Sequence, residues 1–302
     1  MIRTIGLEKA YGPLLALAGV DLEVPAGSLY GLVGPNGAGK TTLLEILAGL
    51  RRQTGGRVEV GATREAIAYC PDVAEFEPWL SALEVLEAAL GLLGRRRPRT
   101  ELAALLGRVG LGKVAGRRVG GFSRGMTTRL NLAAGLVGQP KVLILDEPAS
   151  SLDPAGRVDV LQLIAALAPA TTVLLSSHDL SEIEAICEHV GILTEGRLLY
   201  QGPLSDLLAG AARSRWSVVI RAPATPAIQA LQAAPWVSSA TEQAPGELEL
   251  TAPDPAEVEK HLAAVLAASG SRVVSIAPLR PSLEDVFLSL TSTPTQQQDG
   301  TG

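Results

Sequence analysis

One short segment carries the residues that phosphate binding needs. Residues 34–41 read GPNGAGKT and match the pattern G-x-x-x-x-G-K-[ST] in full. Glycine has no Cβ, so backbone N–H groups in such a loop can turn inward around a phosphate. Lys40 would add a positive charge, and the hydroxyl of Thr41 could ligate Mg²⁺. A glycine-rich turn with a chance lysine is the alternative, but a strand-like segment before the motif and a helix-like one after it favour a phosphate site.

Three more polar side chains stand where apolar segments end. Asp146 follows the run VLIL, and Glu147 comes directly after it. A carboxylate at the end of a buried strand is costly unless it is used, and beside a phosphate loop its use is to hold Mg²⁺. Glu147 would point toward the γ-phosphate and take a proton from the attacking water, whereas meeting a helix dipole is its alternative role. His178 ends the run TTVLLSSH, and we expect it to contact the γ-phosphate.

The apolar segments predict a parallel sheet that brings these residues together. Strands are expected at 28–34, 141–148 and 171–179, and a helix at 41–50. Continuous apolar strands separated by helices are typical of a parallel sheet covered on both faces. The carboxyl ends of such strands form the ligand crevice, so the phosphate loop and the polar residues are expected to meet there.

A second loop has the layout of a helix start. Residues 121–126 read GFSRGM and stand just before the apolar run RLNLAAGLV. Such a loop offers backbone N–H groups and a helix dipole to an anion. A P-loop kinase or GTPase has no need of a second loop of this kind, whereas an ATPase whose site is closed by a second molecule does.

Five motifs together resemble those of a known family. GPNGAGKTT, FSRGM, LILDEP, SSLD and SSHD come in the order, and at about the spacing, of an ABC transporter ATP-binding subunit. The resemblance covers residues 1–212 and implies an α/β P-loop NTPase cassette. Such a cassette has a mostly parallel sheet, a small N-terminal antiparallel β part and a helical subdomain, here at about 73–138. It also implies hydrolysis of ATP with Mg²⁺ by two cassettes stacked head to tail.

The resemblance assigns further roles residue by residue. Ser123 and Gly125 of one cassette would cap the γ-phosphate held by the other, and Asp153 would lie between the cassettes. Tyr11 stands where the family has an aromatic that stacks on adenine, with core packing as its alternative role. Asp72 stands where the family normally has Gln. A carboxylate there can still reach Mg²⁺, but it is shorter and cannot donate a hydrogen bond.

The site residues that the sequence predicts fall into three groups. The catalytic group is Glu147, His178 and Lys40. The metal ligands are Thr41, Asp72 and Asp146. The nucleotide-binding group is Tyr11, Gly34, Pro35, Asn36, Gly37, Ala38, Gly39, Lys40, Thr41, Thr42, Asp72, Ser123, Gly125 and Asp153.

The remainder of the chain predicts a smaller module. Residues 213–291 have the order βαββαβ, which is typical of a ferredoxin-like α+β fold, and the polar tail 292–302 is expected to be disordered. Asp254 is predicted to cap the second helix, with Glu257 completing a capping box. The end PSLEDVFLSLT, Asp72 in place of the usual Gln, and FSRGM in place of the family's Ser-Gly-Gly-Gln form resemble a branch of ABC proteins. Members of that branch power efflux through a separately encoded membrane subunit. The module has either a regulatory role or no role beyond added bulk or a dimer contact.

Composition limits the partners. The 302 residues carry a formal net charge of -5, which disfavours nucleic acid as a partner. The 2 cysteines, Cys70 and Cys187, are expected to be buried thiols in a reducing cytosol. The N-terminus lacks the apolar segment of a signal peptide, and no apolar run approaches the roughly 20 residues that span a bilayer. We therefore expect a soluble chain at the cytoplasmic face of the cell membrane, attached through a membrane subunit.

The leading functional hypothesis is an ATPase subunit that powers export. Its expected partners are a second cassette, either an identical chain or a paralogue, and an integral membrane transporter subunit. The alternative is a soluble ABC ATPase acting on nucleic acid or ribosomes, but that class usually has two cassettes in one chain, coiled-coil insertions or basic arms. A P-loop kinase would leave FSRGM and SSHD without a role.

A bulky segment suggests where the membrane subunit binds. Phe76, Trp79, Leu80 and Leu83 are large for this chain, in which aromatic residues make up only 3%. We expect some of them to line a groove for a short helix of the membrane subunit. Packing of the helical subdomain is the alternative.

Overall fold

The computed structural model describes residues 1–168, 170–210, 214–221, 223–279 and 282–292. The chain divides into two compact units, Met1–Leu204 and Ser205–Gly302. The boundary predicted from the sequence, between residues 212 and 213, lies outside the described residues. So does the predicted tail, apart from its first residue, which ends a helix. Within the described ranges, no helix combines the length and the apolar character that crossing a bilayer requires.

The first unit contains ten strands and six α-helices, besides α7 at its boundary, among the residues that the structure describes. Its strands are β1 (Ile2–Tyr11), β2 (Leu14–Val20), β3 (Glu23–Val24), β4 (Leu29–Val33), β5 (Gly55–Val60), β6 (Ile67–Cys70), β7 (Val142–Leu145), β8 (Thr172–Ser177), β9 (His189–Thr194) and β10 (Arg197–Pro203). Its helices are α1 (Lys40–Leu47), α2 (Ala82–Leu92), α3 (Arg99–Arg108), α4 (Arg124–Leu136), α5 (Pro154–Ala165) and α6 (Leu180–Ile186).

A six-stranded sheet positions the polar residues of the first unit. Its strands lie in the order β10-β9-β4-β8-β7-β6, and all neighbours are parallel except the antiparallel pair β10 and β9. Every residue of β4, β7 and β8 is buried, as expected for strands covered on both faces. The mostly parallel sheet predicted from the sequence is therefore confirmed. Because β7 and β8 are adjacent, the residues that follow them lie side by side.

A second sheet of the same unit is antiparallel. The long strand β1 pairs with β2, β3 and β5, each in the antiparallel sense. Leucines of α1 and residues of both sheets share one core, which includes Leu7, Leu32, Leu43 and Ile144. This core holds α1, and with it the end of the phosphate loop, against the parallel sheet.

The helices α2, α3 and α4 form a subdomain with its own core. Leu86, Leu106 and Leu130 are fully buried there. Phe76, Leu80 and Leu83 are partly buried against the same core, whereas the side chain of Trp79 is 63% exposed. The bulky segment therefore divides: three of its members pack the subdomain, which was the alternative role, and Trp79 faces solvent.

The second unit contains one antiparallel sheet. Its elements, together with α7 (Leu204–Gly210) at the boundary, are β11 (Ser214–Arg221), α8 (Thr225–Gln232), β12 (Ser239–Ala244), β13 (Glu247–Ala252), α9 (Pro255–Ala268), β14 (Arg272–Leu279) and α10 (Leu283–Ser292). The strand order β12-β13-β11-β14 with antiparallel neighbours is a split βαβ arrangement of the ferredoxin-like type.

One detail of this unit differs from the sequence prediction. Asp254 caps α9 by accepting a hydrogen bond from the backbone N–H of Ala256, but the predicted capping box is absent. Oε2 of Glu257 instead lies 3.5 Å from Nε2 of His261, one turn further along the helix. Its side chain extends along the exposed side of α9, where the two residues at spacing i,i+4 are neighbours.

Candidate functional site

The phosphate loop is held in place by backbone packing at two glycines. Gly34 directly follows β4, and a Cβ there would lie 2.0 Å from the backbone oxygen of Leu193. Gly39 caps α1 with φ 103°, and a Cβ on it would lie 2.6 Å from the backbone oxygen of Ala16. Only glycine fits at such approaches. The loop therefore delivers its free N–H groups at the first turn of α1, where an anion is favoured.

A cavity of about 510 Å³ opens over this helix start. Its lining brings together residues from the phosphate loop, from the ends of β6, β7 and β8, and from β1 and β2. They are Tyr11, Leu14, Ala16, Pro35, Asn36, Gly37, Ala38, Gly39, Lys40, Thr41, Thr42, Asp72, Asp146, Glu147, Ser150 and His178. The crevice predicted at the strand ends is thus formed.

Lys40, Glu147 and His178 meet in this cavity. The ammonium of Lys40 donates to the backbone oxygen of Gly34 at 2.6 Å and lies 3.6 Å from Oε1 of Glu147. The other carboxylate oxygen, Oε2, is 2.7 Å from Nδ1 of His178. Lys40 and Glu147 are 7% and 15% exposed, so their charges interact with little screening by water. The contacts with Lys40 and His178 hold this carboxylate in the cavity, beside the phosphate loop, where a general base would be needed.

The backbone at Glu147 separates two consecutive carboxylates. Glu147 has φ 49°, a left-handed conformation that non-glycine residues seldom adopt. Its N–H donates to Oγ of Ser176 at 3.0 Å, and that hydroxyl donates to Oδ1 of Asp146 at 2.6 Å. Ser176, on the neighbouring strand, therefore fixes both residues. Such strain persists where surrounding contacts enforce it, and it is typical of functional sites.

Asp146 is a buried carboxylate without a protein cation. It is 3% exposed, and the hydroxyl of Tyr69 lies 3.4 Å from its Oδ2. Burial, followed by the charge of Asp146, raises the pKa of Tyr69, so the phenol remains a donor. Among the described residues, no Lys, Arg or His forms an ion pair with Asp146. A buried charge is stable only when it is compensated, so this site suits a bound cation.

The other two predicted metal ligands line the same cavity. Thr41 is exposed at the start of α1, and Oδ1 of Asp72 accepts a hydrogen bond from Oγ of Ser150 at 2.7 Å. The described residues contain no cluster of three or more His, Cys, Asp or Glu that would enclose a metal by themselves. Mg²⁺ characteristically uses one or two carboxylates, with waters and substrate phosphates as its other ligands. The oxygen donors present fit that ion.

Tyr11 stands at the edge of the cavity. Its side chain is 38% exposed, so it is not packed into the core. Nζ of Lys9 lies 5.0 Å and Cζ of Arg51 lies 5.4 Å from the centre of its ring. These cation–π contacts hold the ring at the mouth of the cavity.

Four predicted nucleotide-binding residues do not line the cavity: Gly34, which packs at the start of the phosphate loop, and three residues at the starts of other helices. Ser123 caps α4 by accepting from the N–H of Met126 at 3.3 Å, and Gly125 lies in the first turn of that helix. Asp153 caps α5 by accepting from the N–H of Gly156 at 3.1 Å. The helix start predicted at RGMTTRL is present. Within one chain, however, these residues contribute nothing to the walls of the cavity.

Three further residues of the site were not assigned from the sequence. Ser176 joins Asp146 to Glu147, Ser150 bonds Asp72, and Tyr69 contacts Asp146. Both serines belong to motifs that were recognised, as the first residues of SSHD and SSLD. Their position beside charged motif residues is the only sequence signal for them. Nothing in the composition around Tyr69 distinguishes it from a core aromatic.

The sequence matches known proteins along nearly its whole length. Residues 17–150 match the family described as ABC transporter. The chain is 34% identical over 294 residues to YxlF of Bacillus subtilis, named as an uncharacterized ABC transporter ATP-binding protein, with 95% of this chain and 98% of that one covered. It is 36% identical to the daunorubicin resistance ATP-binding protein DrrA3 of Streptomyces coeruleorubidus, with 95% and 94% covered.

A solved structure shares the fold of the first unit. It is described as the ATP binding subunit of an ABC transporter, and it matches 70% of this chain and 92% of its own length, with a TM-score of 0.64 and 25% identity. The cavity brings together the loop, the carboxylates and the histidine on which the resemblance was based. The chain therefore belongs to the ABC transporter ATP-binding proteins, and its reaction is the hydrolysis of ATP.

Proposed function

We propose that this chain, with Mg²⁺ as cofactor, hydrolyses ATP to drive export through a membrane-embedded partner subunit. The observation that carries the proposal is the meeting of Lys40, Glu147 and His178 over the phosphate loop. Relatives named for daunorubicin resistance and for bacitracin transport support export as the process that the hydrolysis drives.

The phosphates of ATP would be bound by the start of α1. Residues 36, 37 and 39–41, which offer backbone N–H groups, line the same cavity as the side chain of Lys40. The ammonium of Lys40 lies close enough to Glu147 that incoming phosphates would compete with this carboxylate for its charge. Tyr11, at the mouth of the cavity, is placed to stack on the adenine ring.

Thr41, Asp146 and Asp72 would hold Mg²⁺. When bound, the ion supplies positive charge that neutralises the phosphate oxygens. Asp146 is held toward the cavity by Ser176, and Asp72 by Ser150. Because both carboxylates already have hydroxyl partners, their orientation is set before a nucleotide arrives.

Glu147 would act as the general base. One of its oxygens is bonded to His178 and the residue lines the cavity, so it is placed to accept a proton from a water there. His178 would hold Glu147 in position and contact the γ-phosphate. The two consecutive carboxylates have different partners, since Asp146 is bonded to Ser176 and Glu147 to His178.

A complete ATP site would need a second cassette. Ser123, Gly125 and Asp153 lie outside the walls of the cavity, although the resemblance assigns them to the nucleotide. Each is placed at a helix start, where backbone N–H groups and the helix dipole favour a phosphate. These residues would therefore serve the ATP held by the partner cassette, and closure of the pair would drive the membrane subunit.

The experiment is to isolate the complex and measure its hydrolysis. We expect the chain to be recovered from detergent-solubilised membranes together with an integral membrane protein, and the complex to release phosphate from ATP only with Mg²⁺. The identity of the co-purified chain would narrow the exported substrate. Recovery without a membrane protein, or phosphate release that is unaffected by chelation of Mg²⁺, would contradict the proposal.

A further inference from the structure

Arg157, on α5, contacts the turn that carries His178. Its Nη1 lies 2.8 Å from Oδ2 of Asp179, the residue directly after His178. Its Nε lies 3.1 Å from Oε1 of Glu182, one turn into α6. The Nε–H is not aligned for a hydrogen bond with that oxygen, so the contact with Glu182 is an ion pair rather than a directed bond. One guanidinium thus holds two carboxylates of the same turn.

Glu182 extends these contacts to the residue before His178. It is 5% exposed, and its second oxygen accepts a hydrogen bond from Oγ of Ser177 at 2.8 Å. The same Oγ accepts from the backbone N–H of Asp179 at 3.0 Å. Burial raises the pKa of Glu182, while the hydrogen bond from Ser177 and the charge of Arg157 oppose that rise. Both neighbours of His178 are therefore tied to Arg157.

The side chain of His178 is not held by packing. It is 55% exposed, and among the described residues its polar contact is the one with Glu147. Its contact with Glu147 therefore depends on the backbone of the turn, because a rotamer can bring the ring to Glu147 only from the correct main-chain position. Within the described residues, Arg157 is the cation that makes ion pairs with this turn.

We propose that Arg157 is a positioning residue for hydrolysis, which holds the His178 turn against α5 through Asp179 and Glu182 and so keeps His178 at Glu147. The inference rests on the proposed roles of His178 and Glu147. It extends them by naming the residues that maintain their 2.7 Å contact. Arg157, Asp179 and Glu182 are absent from the cavity lining, so we expect them to act on the reaction through this turn rather than by contact with the nucleotide.

The test compares Arg157→Lys and Glu182→Gln with the wild-type complex. Lysine is a point charge and cannot hold both carboxylates in one geometry, and glutamine keeps an acceptor for Ser177 but removes the ion pair. We expect kcat to fall by about 10-fold or more in each variant, because small displacements of a reacting group are costly. KM for ATP should change by less than about 3-fold, because the phosphate loop is untouched. Asp159→Asn, at an exposed ion pair on the same helix, is the control and should keep normal turnover.

A second arm combines these variants with His178→Ala. If Arg157 acts through His178, Arg157→Lys should lower kcat no further once His178 is absent. If the double variant loses as much kcat as the two single variants together, or if Arg157→Lys has a normal kcat, the positioning role of Arg157 is overturned. Either result leaves the proposed role of His178 intact. A normal kcat in His178→Ala would overturn the proposed role of His178 as well, which separates the two failures. Melting curves identify any variant that does not fold, and Glu182→Gln carries the test if Arg157→Lys unfolds.

Discussion

At the scale of single residues, the two oxygens of one carboxylate have different partners. Glu147 lies near the ammonium of Lys40 on one side and is bonded to His178 on the other. Asp146, one residue earlier, has hydroxyl neighbours from Ser176 and Tyr69 instead. Two adjacent carboxylates therefore sit in different electrostatic settings. This is the basis for assigning proton transfer to Glu147 and metal binding to Asp146.

The first prediction concerns the base. Glu147→Gln should lower the turnover of ATP by about 10²-fold or more while ATP binding persists, because glutamine keeps the shape of the side chain but cannot take the proton. It should also accumulate an ATP-bound dimer. Phosphate release and a nucleotide-binding titration measure the two effects. Glu195→Gln is a matched control, since Glu195 also has a left-handed backbone, φ 50°, but lies outside the cavity. Near-normal hydrolysis by Glu147→Gln would exclude this residue as the base.

The second prediction concerns the metal. Asp146→Asn removes a buried charge that has no protein cation, so without Mg²⁺ and nucleotide the variant should melt at or above the wild-type temperature. With Mg²⁺ and ADP the wild-type melting temperature should rise, because a ligand that binds only the folded state stabilises it. In Asp146→Asn this rise should largely disappear. An undiminished rise in the variant would show that Asp146 does not hold the ion, and Asp159→Asn serves as the unaffected control.

At the scale of elements, the segment before α2 has one member that the fold leaves uncovered. Trp79 is 63% exposed, whereas Phe76 packs against the core of the helical subdomain. An exposed Trp next to a well-packed subdomain is a typical anchor for a partner. The two aromatic residues therefore differ in burial although they are only three positions apart in the sequence.

The third prediction uses this pair. Trp79→Ala should release the chain from membranes that contain the membrane subunit, without changing the circular dichroism spectrum or the basal ATPase activity of the isolated chain. Phe76→Ala should instead lower the free energy of unfolding. The loss should be no more than ~3 kcal/mol, which is the lower end of the range for a fully buried Phe, because Phe76 is only partly buried. Sedimentation of membranes and thermal melting distinguish the outcomes. If Trp79→Ala unfolds, Trp79 packs the helical subdomain and is not a binding residue.

At the scale of the whole molecule, the chain presents two helix starts that its own cavity does not use. α4 begins after Ser123 and α5 after Asp153, and neither residue lines the cavity over the phosphate loop. Both are explained if a second copy supplies the phosphates that they face. An identical pair would contain two such composite sites related by a two-fold axis.

The fourth prediction tests this arrangement by mixing two inactive variants. Lys40→Ala damages the phosphate loop, and Gly125→Asp places a negative side chain where a phosphate would bind. In a mixed dimer, one site collects both defects and the other is intact. If the pair is a homodimer, mixing should restore part of the phosphate release, or ATP-driven dimer formation detected by crosslinking. Recovery in neither assay would contradict composite sites.

One control of that experiment concerns Gly125 itself. A Cβ at this position would lie 3.1 Å from Cδ2 of Leu152 in the same chain, the flexible end of a side chain. The variant must therefore be shown to fold by its melting curve. A folded Gly125→Asp chain should also keep an intact phosphate loop, measured as nucleotide binding by the single chain.

The sequence alone was sufficient for the elements that depend on local pattern. The buried strands β4, β7 and β8 are continuous apolar runs, and the loop before α1 is specified by glycines that no other residue can replace. Alternation of short strands and helices likewise predicted the order from β11 to β14, although α7 and α10 were not predicted. In each case a few neighbouring residues determine the conformation, because the spacing of apolar residues along the chain and the backbone freedom of glycine are local properties.

The tertiary structure alone decided which side chains meet. His178 contacts Glu147 across 31 residues, and Ser150 contacts Asp72 across 78. Contacts between residues so far apart in the sequence depend on strand order, on rotamers and on the left-handed backbone at Glu147, which no local pattern predicts. The same holds for Trp79, since only the packing of α2 to α4 separates its exposed ring from its buried neighbours. Local sequence sets conformation one element at a time, whereas contacts between distant residues arise only when the whole core is packed.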